Sequence, residues 1–132
     1  MCGTAGERLD VGPPRSMSHD SLTELVGGQL VAVTFVWDYI QFQVEPSILI
    51  NAYTPVTIRV GVTHVQTGQT GFADALVRQI GRTIKAASLE EGRAMLVRFD
   101  DGSVVEISIQ ASDYRGPEAI EVRVEGGSDI VL

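Results

Sequence analysis

Residues 40–62 read IQFQVEPSILINAYTPVTIRVGV, and the fold is decided there. In Ile40-Gln41-Phe42-Gln43-Val44, apolar and polar side chains alternate with the period of a strand that buries one face. Glu45-Pro46-Ser47 interrupts the alternation with turn-forming residues. Ile48–Tyr53 and Thr57–Val62 resume it, rich in the β-branched residues that suit a pleated surface. Outward from this stretch, the same signals predict strands at Gln29–Val36, Thr83–Ala87, Met95–Phe99, Val104–Ile109, Ile120–Val124 and Ile130–Leu132. Asp101-Gly102, between Phe99 and Val104, is a tight hairpin turn, because both residues tolerate the positive φ that such turns need. Only Gly71–Ile80 reads as helix: Phe72, Leu76 and Ile80 recur on one face, and Gly81 can end it.

The chain has 132 residues, enough for one domain. Forty-four per cent are hydrophobic and 20% charged, the balance of a globular chain. Seventeen acidic against ten basic residues give a net charge of −7. Phosphates would repel that charge, so nucleic acid is not the expected partner. One cysteine, Cys2, makes no intrachain disulfide and no thiolate cluster, and His19 and His64 lack the spacing of a zinc site. No cofactor or metal is expected. No phosphate-cradling glycine loop and no nucleophile elbow occurs. No apolar run reaches the roughly 20 residues of a membrane helix, and no basic-then-apolar leader precedes the domain, so a cytoplasmic location is expected, with no membrane partner. Residues 1–20, with Gly12-Pro13-Pro14 and no hydrophobic period, read as a flexible tail. Residues 1–16 read equally well as an extension upstream of Met17. Residues 21–132 read as a single β domain.

Within that domain the chain repeats itself. Leu25-Val26, Gly28 and Val31 match Leu76-Val77, Gly81 and Ile84. Ile40-x-Phe42-x-Val44 matches Met95-x-Val97-x-Phe99, and Pro55-x-x-Ile58-x-Val60-x-Val62 matches Pro117-x-x-Ile120-x-Val122-x-Val124. Two pseudo-repeats, about 21–66 and 71–132, follow. Each is expected to hold four antiparallel strands, too few to bury an apolar face alone. Together they predict a mainly β fold of about eight strands, a β-sandwich or a partly closed barrel, with one short helix between the halves.

The two halves differ on the face that alternation turns outward. The second half presents Lys85, Arg98, Glu106, Ser108, Glu121, Arg123 and Glu125, an ordinary solvated surface. The matching positions of the first half are Ala32, Gln43, Asn51, Tyr53, Arg59, Gly61 and Thr63. A sheet face so short of charge invites association, either with a second copy of the chain or with another protein, unless the chain itself covers it. Trp37-Asp38-Tyr39 falls where the first strand turns into the second. Tryptophan and tyrosine often anchor interfaces, so Trp37 and Tyr39 are candidate binding residues. Phe35, Trp37 and Tyr39 also share one parity with Val31 and Val33, which would make them part of the core.

Candidates for chemistry are sparse. His64, in a loop rich in Thr, Gln and Gly, has no partner named by the sequence. Asp100 and Asp101 belong to a turn, and Glu90-Glu91 to a solvated loop. Arg78, Arg82 and Lys85 gather near the helix end, where cations complement the helix dipole and an anion could bind. The chain resembles small uncharacterised bacterial β-proteins built from two related halves. Gly28-x-x-Val31, the Phe99-Asp100-Asp101-Gly102-Ser103 turn and Glu118-x-x-Glu121 carry the resemblance. Some proteins of this style are similar to immunity proteins, which neutralise toxins by binding them. The resemblance rests on strand-and-turn patterns and implies no catalytic residues to carry over. The expected function is a non-catalytic protein-binding or assembly module, a homodimer or an immunity-type binder; the alternative is a small-molecule-binding protein or small enzyme with its cleft between the two halves.

Overall fold

Alternation converts directly into strands. The computed structural model describes residues 22–125 and 129–132; the tail expected at 1–20 lies outside them. The strands are β1 (Gln29–Val36), β2 (Tyr39–Glu45), β3 (Ile48–Ala52), β4 (Val56–Val60), β5 (Thr63–Gln66), β6 (Ile84–Glu90), β7 (Ala94–Phe99), β8 (Val104–Ser108), β9 (Ile120–Val124) and β10 (Ile130–Val131). Helix α1 (Phe72–Val77) lies between β5 and β6, and a single 3₁₀ turn spans Ala111–Asp113.

The described residues form ten strands, against the expected eight or so. The clearest addition is β5, expected to be loop, which folds back on β4 with Ile58 opposite Val65 and Val60 opposite Thr63. Val62, expected on the apolar face of a longer strand, therefore sits at the tip of a hairpin and is fully exposed.

Two five-stranded antiparallel sheets result, ordered β10-β9-β3-β2-β1 and β5-β4-β8-β7-β6. Neither half of the chain makes a sheet by itself. The β4–β5 hairpin leaves the first three strands and pairs with β8 in the second sheet. The β9–β10 hairpin makes the reverse crossing and pairs with β3 in the first. The partly closed barrel is not formed. Closure would need the edge strands β1 and β6 paired along their length, and they meet only at Gln29 opposite Thr83.

That meeting point is tightly bonded. The Gly27 N–H donates to the Ile84 carbonyl at 2.8 Å, and Gly81 donates to Leu30 at 2.7 Å. Ile84 donates to Gly28 at 2.8 Å, and Leu30 donates to Arg82 at 3.0 Å. Directly after it each edge strand carries a bulge, between Leu30 and Ala32 in β1 and between Ile84 and Ala86 in β6. Such bulges add twist and turn the edge away from its neighbour.

The inward faces share one core. Leu30, Phe42, Val44, Ile50 and Val122 from the first sheet meet Ile58, Ile84, Met95, Val97, Phe99 and Ile107 from the second. The residual void between them is about 10 Å³, too small to hold a ligand. Helix α1 buries Phe72 and Leu76 against this core. Ile80, expected on the same face, is 40% exposed because the helix ends at Val77. Gly81 then takes φ +97°, a left-handed conformation that glycine adopts without the cost of a Cβ clash.

Candidate functional site

β1 and β2 are joined by Trp37 and Asp38 alone, since Val36 already pairs with Tyr39. A two-residue turn leaves its side chains nothing to fold against, and Trp37 is 98% exposed. The expectation that Phe35, Trp37 and Tyr39 jointly extend the core fails at this turn. Alternation holds as far as Phe35, which leans edge-on toward Phe72 with ring centroids 6.5 Å apart and stays half-exposed. It breaks at the turn, and Tyr39 emerges on the outer face of the sheet, its ring 5.5 Å from that of Tyr53.

Arg115, from the loop between β8 and β9, holds the turn in place. Its Nη2 donates to the backbone carbonyls of Asp38, at 2.7 Å, and Tyr53, at 3.1 Å. Nothing in the sequence marks this arginine, which stands alone in a loop. At the foot of the turn an open groove of about 680 Å³ runs from Trp37 past Pro55 and Gln69 to Phe72 and Tyr114. Its walls come from both halves of the chain.

The outer face of the first sheet holds Ala32, Gln43, Asn51, Tyr39 and Tyr53, but not the whole set read from alternation. Arg59 and Thr63 lie on the second sheet, and Gly61 lies in its β4–β5 turn, because the β4–β5 hairpin crosses over. In exchange Glu121 and Arg123 arrive with β9. Asn51, expected to face outward, is 7% exposed. It is enclosed by an amide relay: Gln41 Nε2 donates to Asn51 Oδ1 at 3.0 Å, and Asn51 Nδ2 donates to Glu121 Oε1 at 3.2 Å. Tyr53 OH donates to the same carboxylate oxygen at 3.2 Å.

Arg123 lies 3.0 Å from the other Glu121 oxygen. The Arg123 bond holds the Glu121 carboxyl below its ordinary range, with help from Asn51 and Tyr53 and against the effect of burial. Burial raises the Tyr53 phenol, and the Glu121 charge raises it further. The face is thus a weakly charged polar surface on which Gln41, Asn51, Tyr53 and Glu121 bond to one another. The outer face of the second sheet is laced with charge instead: Arg59 pairs with Glu106, and Arg93 with Glu90 and Glu106.

The remaining candidates are dispersed. His64 stands exposed on the edge strand β5, opposite Arg59. Asp101 Oδ1 accepts from the Ser103 N–H at 2.9 Å, closing the turn as expected. Burial raises the Asp101 carboxyl, but its Ser103 bonds and the Arg82 charge outweigh that and hold it low. Arg78 pairs with Asp74, and Arg82 lies near Asp100 and Asp101. Two of the three cations near the helix end are therefore engaged by carboxylates. Gln79, missed by the sequence, is buried beside Ser103, and its Oε1 has no partner among the described residues.

No group of three or more metal-ligating side chains occurs among the described residues, and none of their helices is long and apolar enough to cross a membrane. No family model matches the chain, and no curated protein or solved structure is significantly similar to it.

Proposed function

We propose that the chain is a non-catalytic protein-binding or assembly module whose binding element is the Trp37 turn with the groove at its foot. The observation that carries this reading is the exposure of Trp37, 98%, on a turn that Arg115 clamps from behind. A large apolar ring standing in water offers much area to bury on docking. The first partner to test is a second copy of the chain; a foreign protein, as for immunity-type binders, is the other.

A second reading is a small-molecule site in the groove. Its volume, about 680 Å³, falls in the range of ligand pockets, and both halves of the chain line it. Trp37→Ala separates the two. Sedimentation of the variant should show association weakened by about tenfold or more, as for a truncated interface anchor. Its melting temperature should stay near wild type, because the side chain is fully hydrated in the single chain. Unaltered association, with a small ligand lost instead, would favour the second reading.

We also infer that the two halves are copies of one ancestral unit. The four bonds at the meeting of β1 and β6 support this, since each has a counterpart 54 residues along: Gly27 corresponds to Gly81, and Leu30 to Ile84 (81 − 27 and 84 − 30), one residue before the Gly28 and Val31 matches suggested by the sequence. The paired bulges fall at corresponding places. Each half also gives up its last hairpin to the other sheet. Strand registers equate Val56 with Ile120 and Ile58 with Val122, since β4 meets Ile107 and Val105 as β9 meets Ala52 and Ile50. The correspondence is shifted by two residues from the Ile58–Ile120 match suggested by the sequence alone.

A further inference from the structure

We propose that two copies of the chain join edge to edge through β1, in a twofold antiparallel pairing centred on Thr34 that continues the first sheet across the dimer. This rests on the protein-binding reading and names the partner. The two-residue turn fixes which backbone groups are free. Val36 and Tyr39 exchange backbone bonds across it, so Thr34 and Val36 direct their N–H and C=O toward β2, and Val33 and Phe35 direct theirs away from the sheet. Among the described residues no backbone group bonds to Val33 or Phe35 from outside the sheet, whereas the outward groups of Leu30 are taken by Arg82 and Gly81.

The composition of this edge is as telling as its bonding. From Val31 to Val36 it reads Val-Ala-Val-Thr-Phe-Val, without a charge or a proline. The corresponding edge of the second sheet carries Lys85 and Glu90, and Glu90 is tied to Arg93. Charges of that kind keep an edge strand from pairing, and β1 has none. The other two edges, β5 and β10, span only four and two residues.

The strip is also self-complementary. With Thr34 facing the partner's Thr34, Val33 falls opposite the partner's Phe35 and Phe35 opposite the partner's Val33. All the outward groups are then used, in about four backbone hydrogen bonds, and an aromatic residue faces a β-branched one twice. Each copy carries a net charge of −7, so two copies meet most readily along a strip without charge. Pairing also brings the Trp37 turn of one copy beside the partner's Val31 and covers the exposed ring.

The test is solution mass by size exclusion with light scattering, over a wide range of concentration, on the full chain. The variants are Thr34→Lys, Thr34→Glu, their equal mixture, and Tyr53→Arg, with circular dichroism to show that each is folded. Thr34 is exposed, so neither charge disturbs the core. The wild type should run at twice the chain mass and each Thr34 variant at half of that, since like charges meet across the axis. The mixture should regain the dimer, because lysine then faces glutamate. Tyr53→Arg, on the outer face, should remain dimeric. A dimer that survives Thr34→Lys, or a mixture that stays monomeric, overturns strand addition and leaves self-assembly by another surface. A wild type that is monomeric throughout overturns self-association altogether, while the Trp37 turn can still serve a foreign partner.

Discussion

Glu121 shows how much one residue can depend on neighbours distant in sequence. It accepts from Asn51 and Tyr53, about seventy positions earlier, and pairs with Arg123 beside it. Its folded-state pKa lies below the ordinary glutamate value, so the ionised carboxylate stabilises the fold above the normal glutamate range. That contribution fades as the pH falls through the lowered value. Glu121→Gln should therefore cost about 1 kcal/mol at neutral pH, and the gap from wild type should close in acid, as read by thermal melts against pH. A gap that persisted in acid would mean shape rather than charge was lost. Alternation placed Asn51 on the outward side correctly, but it cannot show that Gln41, Glu121 and Tyr53 enclose it. Gly28 likewise stood out in the sequence, yet its reason is steric: a Cβ there would lie 2.6 Å from Val44 Cγ1 and 2.8 Å from the Glu45 carbonyl oxygen.

At the scale of elements, the β1–β2 turn and its Arg115 clamp matter most. Arg115→Ala removes two hydrogen bonds to backbone carbonyls and should loosen the turn while leaving the sheets intact. The expected signature is a drop in Trp37 fluorescence anisotropy and faster amide exchange at Asp38 and Tyr39, with global stability changed by only about 1 kcal/mol. Unchanged anisotropy would mean the turn holds itself. Most strands were legible because burial on one side writes a period of two into the sequence. β5 was not, since Thr63-His64-Val65-Gln66 carries a single partly buried apolar residue and is a strand only through its pairing with β4. The core reading of Trp37, offered by parity beside the binding one, fails for a related reason: parity describes a strand and has no meaning inside a two-residue turn.

At the scale of the molecule, the exchange of hairpins sets both the core and the surfaces. Alternation tells which side of a strand is buried, but not which sheet the strand joins. The outward set of the first half was therefore divided between two faces once β4 crossed to β8 and β9 to β3. One consequence is mutual dependence. Fragments covering residues 1–68 and 69–132 should each be unfolded alone, since each lacks the hairpin that completes its sheet, and should recover strand signal in far-ultraviolet circular dichroism when mixed. A fragment that folds by itself would contradict this.

Binding through the β1–β2 turn requires that Trp37 stand in water in the single chain and be covered on association. It is the only tryptophan, so intrinsic fluorescence reports on this position alone. Emission measured against protein concentration is predicted to begin at the long wavelength of a fully hydrated indole and to shift toward the blue as copies associate. Emission that is already blue at high dilution, or that stays unshifted while the solution mass doubles, would contradict it.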